Sequence, residues 1–250
     1  MKGVIRYLII LMFCFVSPWA PAGTVLVAAA PNIKFAFDDL EAAFHQQTGI
    51  VAKSVYASSG ALTQQIKAGA PYDLFLAADT KYPEYLYKAG MTVGAPKVYA
   101  YGSLVLWSKA PMNLSNWRLL LKSSQIQRIA VPNPRLAPYG VEALRALKYY
   151  HLWNSIKGKI IYGENLLTVI QYVDSGSANL CFTAKSLMLA PEMRDQGQWV
   201  EIPQEAYKPM AQSAVLLKRG ASNPDAKKFL AFVYSPAGRK ILKANGYRLP

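Results

Sequence analysis

The chain has 250 residues, of which 28 are lysine or arginine and 14 are aspartate or glutamate, giving a formal net charge of +14 at pH 7. Hydrophobic residues make up 52% of the chain. Burial of that much apolar surface can offset the conformational entropy of folding, so the composition excludes an intrinsically disordered protein. The length allows one large domain or two small ones.

An export signal is predicted at residues 1–22. Lys2 and Arg6 lie at its start, an apolar run follows at 8–16, and Ala-Pro-Ala at 20–22 forms a small-x-small cleavage site. The apolar run is shorter than the roughly 20 residues that span a bilayer. A cleaved signal peptide is therefore favoured over the alternative, an uncleaved membrane anchor.

The excess positive charge survives removal of this segment. Losing Lys2 and Arg6 lowers the net charge from +14 to +12 and leaves Cys181 as the only cysteine, which excludes an intrachain disulfide. Lysines and arginines are spread along the chain, without an arginine-rich run, a zinc-ligand pattern or an RNA-binding aromatic motif. Nucleic acid is therefore not an expected partner. A basic surface can instead attract a small anion or keep the protein soluble.

Strand-like and helix-like segments alternate along the mature chain, which predicts an α/β fold. The first series of predicted strands comprises 24–30, 51–56, 72–77 and the unusually long 98–107. Helices are predicted between them, one capped by Asn32, one entered at 58–60 and one capped by Asp79.

A second series of elements follows. Its predicted strands are 129–131, 159–162, 179–183, 199–202 and 213–217. Its predicted helices run from Pro138 to about Tyr150, over 164–174, and onward from the Asn-Pro and Ser-Pro pairs at 223–224 and 235–236, where proline occupies the first helical position.

Two long strands, 98–107 and 210–218, are predicted to cross between two halves of the molecule. The expected architecture is therefore two α/β lobes, each a mostly parallel sheet flanked by helices, joined by two crossover strands. Lobe 1 would comprise 23–103 plus 208–250, and lobe 2 would comprise 104–207.

Four strand-to-helix junctions carry small or hydroxyl residues, at 31–32, 58–60, 138–140 and 164–166. Helix N-termini expose unpaired N–H groups and a partial positive charge, so several of them around one point can hold an anion without any lysine. Ordinary capping is the simpler explanation of any single junction. The Ser58-Ser59-Gly60 junction has one hydroxyl more than a cap needs, and its glycine lets the backbone approach a ligand closely.

No catalytic motif is present: G-x-S-x-G, C-x-x-C, H-E-x-x-H and G-x-x-x-x-G-K-[ST] are absent. His45 and His151 are the only histidines, and both are expected at helix positions away from the junctions. Cys181 lies in an apolar strand and is expected to be inert core. We therefore expect no enzyme. A secreted enzyme with Ser59 as nucleophile is the alternative, although no histidine is placed to activate it.

Six segments carry the strongest motifs: VAAAPN at 27–32, YASSGAL at 56–62, QIKAGAPYDLFLAAD at 65–79, YGSLVLWS at 101–108, NPRLAPYGVEAL at 133–144 and GEN at 163–165. These segments resemble the periplasmic molybdate-binding proteins of ABC transporters. The resemblance implies a type II periplasmic-binding-protein fold that closes on molybdate or tungstate and delivers it to a membrane permease. A periplasmic monomer without a cofactor is expected, in which the metal arrives as an oxyanion and no side chain ligates a metal cation.

The resemblance also implies how the anion is held, through hydroxyls and backbone N–H groups at helix starts. The implied contacts are Asn32 and Ser59, with Ser58 and Pro31 adjacent, in the first lobe, and the main-chain N–H groups of Tyr139, beside Pro138, and of Leu166 in the second lobe.

Two positions depart from the family pattern. Some members have a serine after the Ala-Ala-Ala strand, where this chain has Pro31-Asn32. Proline has no N–H to donate, so Asn32 is expected to carry that contact. Some members contribute a tyrosine hydroxyl where this chain has Ala184. Lys185 or Tyr139 would then replace that hydroxyl, or the site would use fewer donors. The preference between molybdate and tungstate stays open.

Another small anion, such as sulfate, phosphate or an organic acid, is the alternative ligand. An organic carboxylate is commonly paired with an arginine in a bidentate arrangement. Arg135 is the arginine nearest to a junction, so this alternative stays open at the level of the sequence.

Overall fold

The computed structural model describes residues 23–250, and the predicted signal segment at 1–22 lies outside the described residues. The strands are β1 (Thr24–Ala29), β2 (Val51–Tyr56), β3 (Leu74–Leu76), β4 (Lys97–Gly102), β5 (Leu104–Ser108), β6 (Ile129–Pro132), β7 (Ile160–Gly163), β8 (Leu180–Ala184), β9 (Gln198–Glu201) and β10 (Met210–Leu216). The helices are α1 (Lys34–Thr48), α2 (Ser59–Lys67), α3 (Lys81–Lys88), α4 (Trp117–Lys122), α5 (Pro138–Tyr149), α6 (Trp153–Ile156), α7 (Leu166–Asp174), α8 (Lys185–Met188), α9 (Pro224–Tyr234) and α10 (Pro236–Ala244). Within residues 23–250, every helix is too short or too polar to cross a membrane.

The first sheet has five strands in the order β2-β1-β3-β10-β4. β1 runs parallel to β2 and β3, whereas β10 runs antiparallel to β3 and β4. Helices α1, α9 and α10 pack on one face through side chains such as Phe37, Phe229 and Leu242, and α2 and α3 cover the other face through Leu62 and Leu86. The first lobe therefore combines elements of the first predicted series, up to β4, with β10, α9 and α10 from the end of the second series.

The second sheet has the order β7-β6-β8-β5-β9. β6 runs parallel to β7 and β8, and β5 runs antiparallel to β8 and β9. Each sheet therefore has two parallel and two antiparallel pairings and is mixed, where the sequence predicted mostly parallel sheets. The reason is the same in both lobes: the strand that arrives from the other lobe, β5 or β10, runs against the strands built by successive strand-helix units.

The two crossings between the sheets differ in place from the predicted ones. The predicted strand 98–107 is interrupted at Ser103, so that β4 belongs to the first sheet and β5 to the second. The predicted crossover strand 210–218 is wrong, because β10 lies wholly in the first sheet and the chain crosses earlier, between β9 and β10. The numerical lobe boundaries, 23–103 with 208–250 and 104–207, stay a prediction.

The core of the second lobe surrounds β5, β6 and β8. Its helices pack through apolar side chains such as Trp117, Leu147 and Val169. Cys181 lies fully buried in β8, and burial raises the pKa of its thiol well above the ordinary value. A neutral, buried thiol is a poor nucleophile, in agreement with a structural role.

Candidate functional site

A small cavity lies where helix starts from the two lobes meet. Its lining residues are Ala30, Pro31, Asn32, Ser58, Ser59, Ala78, Ala137, Pro138, Tyr139, Asn165 and Leu166. Every one of them is uncharged. The polar groups at this cavity are therefore backbone groups, hydroxyls and amides, without a charged side chain.

Four chain segments end at this cavity with the start of a helix. A 3-10 turn at Pro31–Ile33 leads into α1, while α2 begins at Ser59, α5 at Pro138 and α7 at Leu166. Each of these helices follows a strand, so the cavity lies at the carboxyl ends of β1, β2, β6 and β7. Aligned peptide dipoles place partial positive charge at each helix start, which favours an anion there.

Local capping fixes two of these helix starts. The hydroxyl of Ser58 accepts a hydrogen bond from the backbone N–H of Ala61 at 3.3 Å. The side-chain carbonyl of Asn165 accepts from the N–H groups of Leu167 and Thr168 at 2.9 and 3.2 Å. The caps satisfy N–H groups deeper in the first turn and leave the outermost ones facing the cavity.

The outermost N–H groups are those of Asn32, Ser59, Tyr139 and Leu166. Within residues 23–250, no carbonyl or side chain accepts a hydrogen bond from any of the four. All four residues are buried, between 1% and 2% exposed. Because a buried N–H group without an acceptor is costly, these groups call for an acceptor in the cavity.

The hydroxyl of Ser59 adds a fifth donor. Its Oγ accepts a hydrogen bond from the backbone N–H of Ala78 at 3.0 Å. A hydroxyl has one proton to donate, and the acceptance from Ala78 leaves that proton free for an acceptor in the cavity. Ala78 lines the same cavity, so the strand end of β3 helps to orient the Ser59 side chain.

The structure does not place Asn32 at the N-cap position that the sequence predicted. The N-cap of α1 is Ile33, and Asn32 lies inside the preceding 3-10 turn. Its side-chain Nδ2 donates to Gln212 Oε1 at 2.8 Å and to Tyr247 Oη at 3.1 Å. The predicted cap at Asn32 is therefore wrong, because distant partners hold the amide away from the helix start.

The lobes contact each other directly around the cavity. The backbone N–H of Gly60 donates to the carbonyl of Leu136 at 2.9 Å, and Tyr82 Oη donates to the carbonyl of Arg135 at 3.1 Å. These contacts join the start of α2 and helix α3 to the loop before α5. The structure therefore has its lobes closed over the cavity.

Comparison with known proteins agrees with this architecture. A family model described as bacterial extracellular solute-binding protein matches residues 25–248. The chain belongs to this family.

The solute-binding protein has relatives of nearly its full length. It is 34% identical over 231 residues to the molybdate-binding protein ModA of Azotobacter vinelandii, covering 92% of each chain. It is 32% identical over 229 residues to ModA of Rhodobacter capsulatus, covering 91% of this chain and 89% of that one. The solved Azotobacter vinelandii periplasmic molybdate-binding protein matches with a TM-score of 0.85 at 32% identity, covering 90% of this chain and 99% of that chain. These relatives are binding proteins and not enzymes.

A more distant structure shares the fold alone. The sulfate-binding protein SubI of Mycobacterium tuberculosis matches with a TM-score of 0.75 at 16% identity, covering 90% of this chain and 86% of that chain. The two-lobed α/β fold predicted from the sequence is therefore confirmed.

The structure brings most of the sequence-predicted site residues of the solute-binding protein together. The cavity is lined by the four implied contact residues and by the three candidate residues adjacent to them: Asn32, Ser59, Tyr139 and Leu166, with Ser58, Pro31 and Pro138. Ala184 and Lys185 do not line it. Ala184 pairs with Leu104 in the second sheet, and Lys185 Nζ donates to Glu201 Oε2 at 2.7 Å.

Sequence reasoning missed the three alanines of the lining, Ala30, Ala78 and Ala137. Each lies next to a helix start or a strand end, and small side chains there leave room for a ligand. Their signal was visible in the sequence as small residues at a predicted strand end or just before a predicted helix start.

The geometry supports neither of two alternatives raised by the sequence, an enzyme with Ser59 as nucleophile and an organic carboxylate paired with Arg135. Nucleophilic catalysis needs a base beside the serine, and no titratable acid or base lines the cavity except the buried phenol of Tyr139. His45 Nδ1 lies 3.3 Å from the carbonyl of Ile50, away from the cavity. Arg135 is exposed and absent from the lining.

In the described part of the chain, no group of three His, Cys, Asp or Glu side chains could hold a metal ion.

Gly60 offers a test of lobe closure in this solute-binding protein. A Cβ at position 60 would lie 2.8 Å from Tyr82 Oη and 3.0 Å from the Leu136 carbonyl, so Gly60→Ala should disfavour closure and weaken ligand binding several-fold. The same change should leave the free energy of unfolding equal or higher, because alanine favours a helix over glycine by roughly 0.5–1 kcal/mol. Calorimetric titration and urea unfolding measure the two effects. Lower stability with unchanged affinity would contradict closure as the cause.

Asp79 gives the fold a predicted pH dependence. It follows the cavity residue Ala78, and its Oδ1 accepts from the N–H of Tyr82 at 3.3 Å. Burial raises the pKa of this carboxyl to about 6. As the pH rises, Asp79 therefore ionises at a lower pH in the unfolded chain than in the folded protein. Its contribution to stability is present below about pH 4 and is lost as the pH rises through about 6.

Asp79→Asn should remove this contribution. The free energy of unfolding of the variant minus that of the wild type should rise by about 2 kcal/mol from pH 4 to pH 7. Urea unfolding of both proteins at the two pH values measures the difference, in which the titration of all other carboxyls cancels. A difference that does not change with pH would show that Asp79 keeps an ordinary pKa.

Proposed function

We propose that this solute-binding protein captures molybdate or tungstate in the cavity between its lobes and delivers it to the membrane permease of an ABC importer. The observation that carries the proposal is the convergence of four acceptor-free backbone N–H groups and the Ser59 hydroxyl in one uncharged cavity. The names of its relatives, molybdate-binding proteins at 34% and 32% identity, support the choice of ligand.

Such a donor set suits a tetrahedral oxyanion. Each N–H group at a helix start offers one hydrogen bond and part of a helix dipole, and hydrogen bonds to a charged acceptor are stronger than those to a neutral one. Donors on both lobes reach the anion together only when the lobes close, so binding and closure are coupled. Because the donors are fixed by helix geometry, the cavity discriminates anions by size.

The partners and location follow from the same proposal. The protein acts in the periplasm as a monomer after cleavage of residues 1–22, with lobe 1 at 23–103 plus 208–250 and lobe 2 at 104–207. The metal enters as part of the oxyanion, and neither a cofactor nor a cation site is involved. The mass of the exported protein reports the cleavage, and sedimentation with and without ligand reports the oligomeric state.

Isothermal titration with molybdate, tungstate, sulfate and phosphate tests the proposed ligand. We expect saturable binding of molybdate and tungstate, with sulfate and phosphate bound far more weakly. Binding of sulfate or phosphate alone, or of none of the four anions, would overturn the assignment.

A further inference from the structure

Gln212 lies in β10, on the side of the cavity where the two lobes join. The pairing of β10 with β4 is interrupted by a bulge between Gln212 and Ser213. Bulges bend a strand and redirect its side chains, and they are frequent next to functional sites. Gln212 is completely buried, so its amide needs protein partners on both of its polar atoms.

The Gln212 amide connects two residues of the cavity that belong to different lobes. Its Oε1 accepts from Asn32 Nδ2 at 2.8 Å and from Tyr99 Oη at 3.0 Å. Its Nε2 donates to Tyr139 Oη at 3.1 Å. Asn32 lies before α1 in the first lobe, whereas Tyr139 lies in the first turn of α5 in the second. Gln212 is thus hydrogen-bonded to a cavity-lining residue on each side.

The Asn32 amide depends on this connection. Its Oδ1 is buried without a hydrogen-bond partner in the described chain. The two bonds made by Nδ2, to Gln212 and Tyr247, therefore fix the side chain. Loss of Gln212 would leave the turn at Pro31–Ile33 with fewer restraints next to the anion cavity.

Gly102, at the end of β4, makes room for the bond between the lobes. A Cβ at this position would collide with both Tyr139 Oη and Gln212 Nε2. Because Gly102 immediately precedes the crossing into β5, the missing side chain leaves space for the Tyr139 hydroxyl at the junction of the lobes.

We propose that Gln212 is a positioning residue that locks the two lobes around the bound oxyanion. It does not line the cavity and acts through Asn32 and Tyr139, which do line it and whose backbone N–H groups have no acceptor in the described chain. The bond from Gln212 to Tyr139 joins the two lobes and is lost when they separate, so Gln212 slows ligand release. This inference rests on the proposed function and adds a residue that is not a ligand contact.

A double-mutant cycle in anion binding tests the role of Gln212. Gln212→Leu and Tyr139→Phe should each weaken molybdate binding roughly tenfold by faster dissociation, because each leaves a buried polar partner unpaired. The double variant should bind no more weakly than the weaker single variant. Tyr139→Phe keeps the backbone N–H in the cavity. Equilibrium titration and stopped-flow dissociation measure the effects.

Two further variants separate positioning from a general loss of stability. Ser213→Ala removes the hydroxyl that donates to the Asp79 carbonyl at 2.9 Å. This hydroxyl is hydrogen-bonded to neither Asn32 nor Tyr139, so its loss should lower stability without changing dissociation. Gly102→Ala retains both side chains, but its Cβ collides with the Tyr139 hydroxyl and the Gln212 Nε2 and so disrupts the bond between them. It should speed ligand release even if Gln212→Leu fails to fold.

The outcomes distinguish this inference from the proposed function. If the wild type binds molybdate and neither Gln212→Leu nor Gly102→Ala changes the dissociation rate, Gln212 does not lock the lobes and the inference fails alone. Additive effects of Gln212→Leu and Tyr139→Phe would overturn it too. If the wild type binds sulfate but not molybdate, the cycle is measured with sulfate, and coupling there would support Gln212 while the proposed ligand fails. If the wild type binds none of the four anions, both fail.

Discussion

Replacing Ser59 with alanine should weaken molybdate binding by about 1.5–3 kcal/mol, which corresponds to roughly a 10- to 150-fold higher Kd. The Ser59 hydroxyl accepts from the Ala78 N–H, so its single proton points to another acceptor, and the proposed acceptor is an oxygen of the dianion. Its loss removes a hydrogen bond to a charged group and leaves the buried N–H of Ala78 without a partner. Isothermal titration of both proteins measures the change.

Thr63→Val is the matched control for Ser59→Ala. Thr63 lies one turn further along α2, is equally buried, and its hydroxyl donates to the Ser59 carbonyl at 2.7 Å. It does not line the cavity. The control should therefore lower the free energy of unfolding with little change in Kd. An equal loss of affinity in both variants would show that helix stability, and not a contact with the ligand, explains the effect of Ser59→Ala.

Gly140→Ala should be the most destabilising single substitution near the site, lowering the free energy of unfolding by about 3 kcal/mol. Gly140 lies in the first turn of α5, and a Cβ there would collide with the backbone carbonyl of Pro132 at the end of β6. A backbone atom cannot move aside as a flexible side chain can. The helix start would shift and carry the adjacent Tyr139 N–H out of position, so affinity should fall as well. Urea unfolding and titration measure both losses.

Gly158→Ala serves as the matched glycine control. No atom lies within 4 Å of a Cβ placed at Gly158, so alanine there should change the free energy of unfolding by less than about 0.5 kcal/mol. If Gly140→Ala were equally harmless, the close packing of α5 on β6 would not be the constraint that fixes the Tyr139 N–H.

Features set by neighbouring residues could be predicted from the sequence. The start of α5 at Pro138 and the cap of α2 at Ser58 follow from proline's fixed backbone angle and from serine's ability to accept a first-turn N–H, and both are found. Local chemistry dictates these elements, so a local pattern reveals them.

Features set by distant partners could not be predicted. Asn32 reads as a helix cap, but its amide is held by Gln212 and Tyr247, 180 and 215 residues away. The second crossing was misplaced because an apolar strand such as β10 looks the same whether it stays in one sheet or passes between two. Gln212 was missed for the same reason, since a single glutamine in a strand carries no signal of its three partners.

The candidate site was only partly readable from the residues alone. Helix-start chemistry indicated the four junctions, whereas the particular contacts at Tyr139 and Leu166 came from the family resemblance. Every residue except proline has a backbone N–H group, so composition and spacing cannot show which of these groups contacts a ligand. Ala184 and Lys185, suggested by a missing family tyrosine, lie outside the cavity because the chain at that point pairs within the second sheet.

The backbone donors of the cavity have an evolutionary consequence. At Tyr139 and Leu166 the proposed contact is a main-chain N–H, which every residue except proline retains. Genetic drift at position 166 is then limited by how the side chain fits the core and not by anion recognition. Two proteins could thus keep the same specificity while sharing few side chains in their binding sites, and proline is the one replacement at these positions that would delete a donor outright.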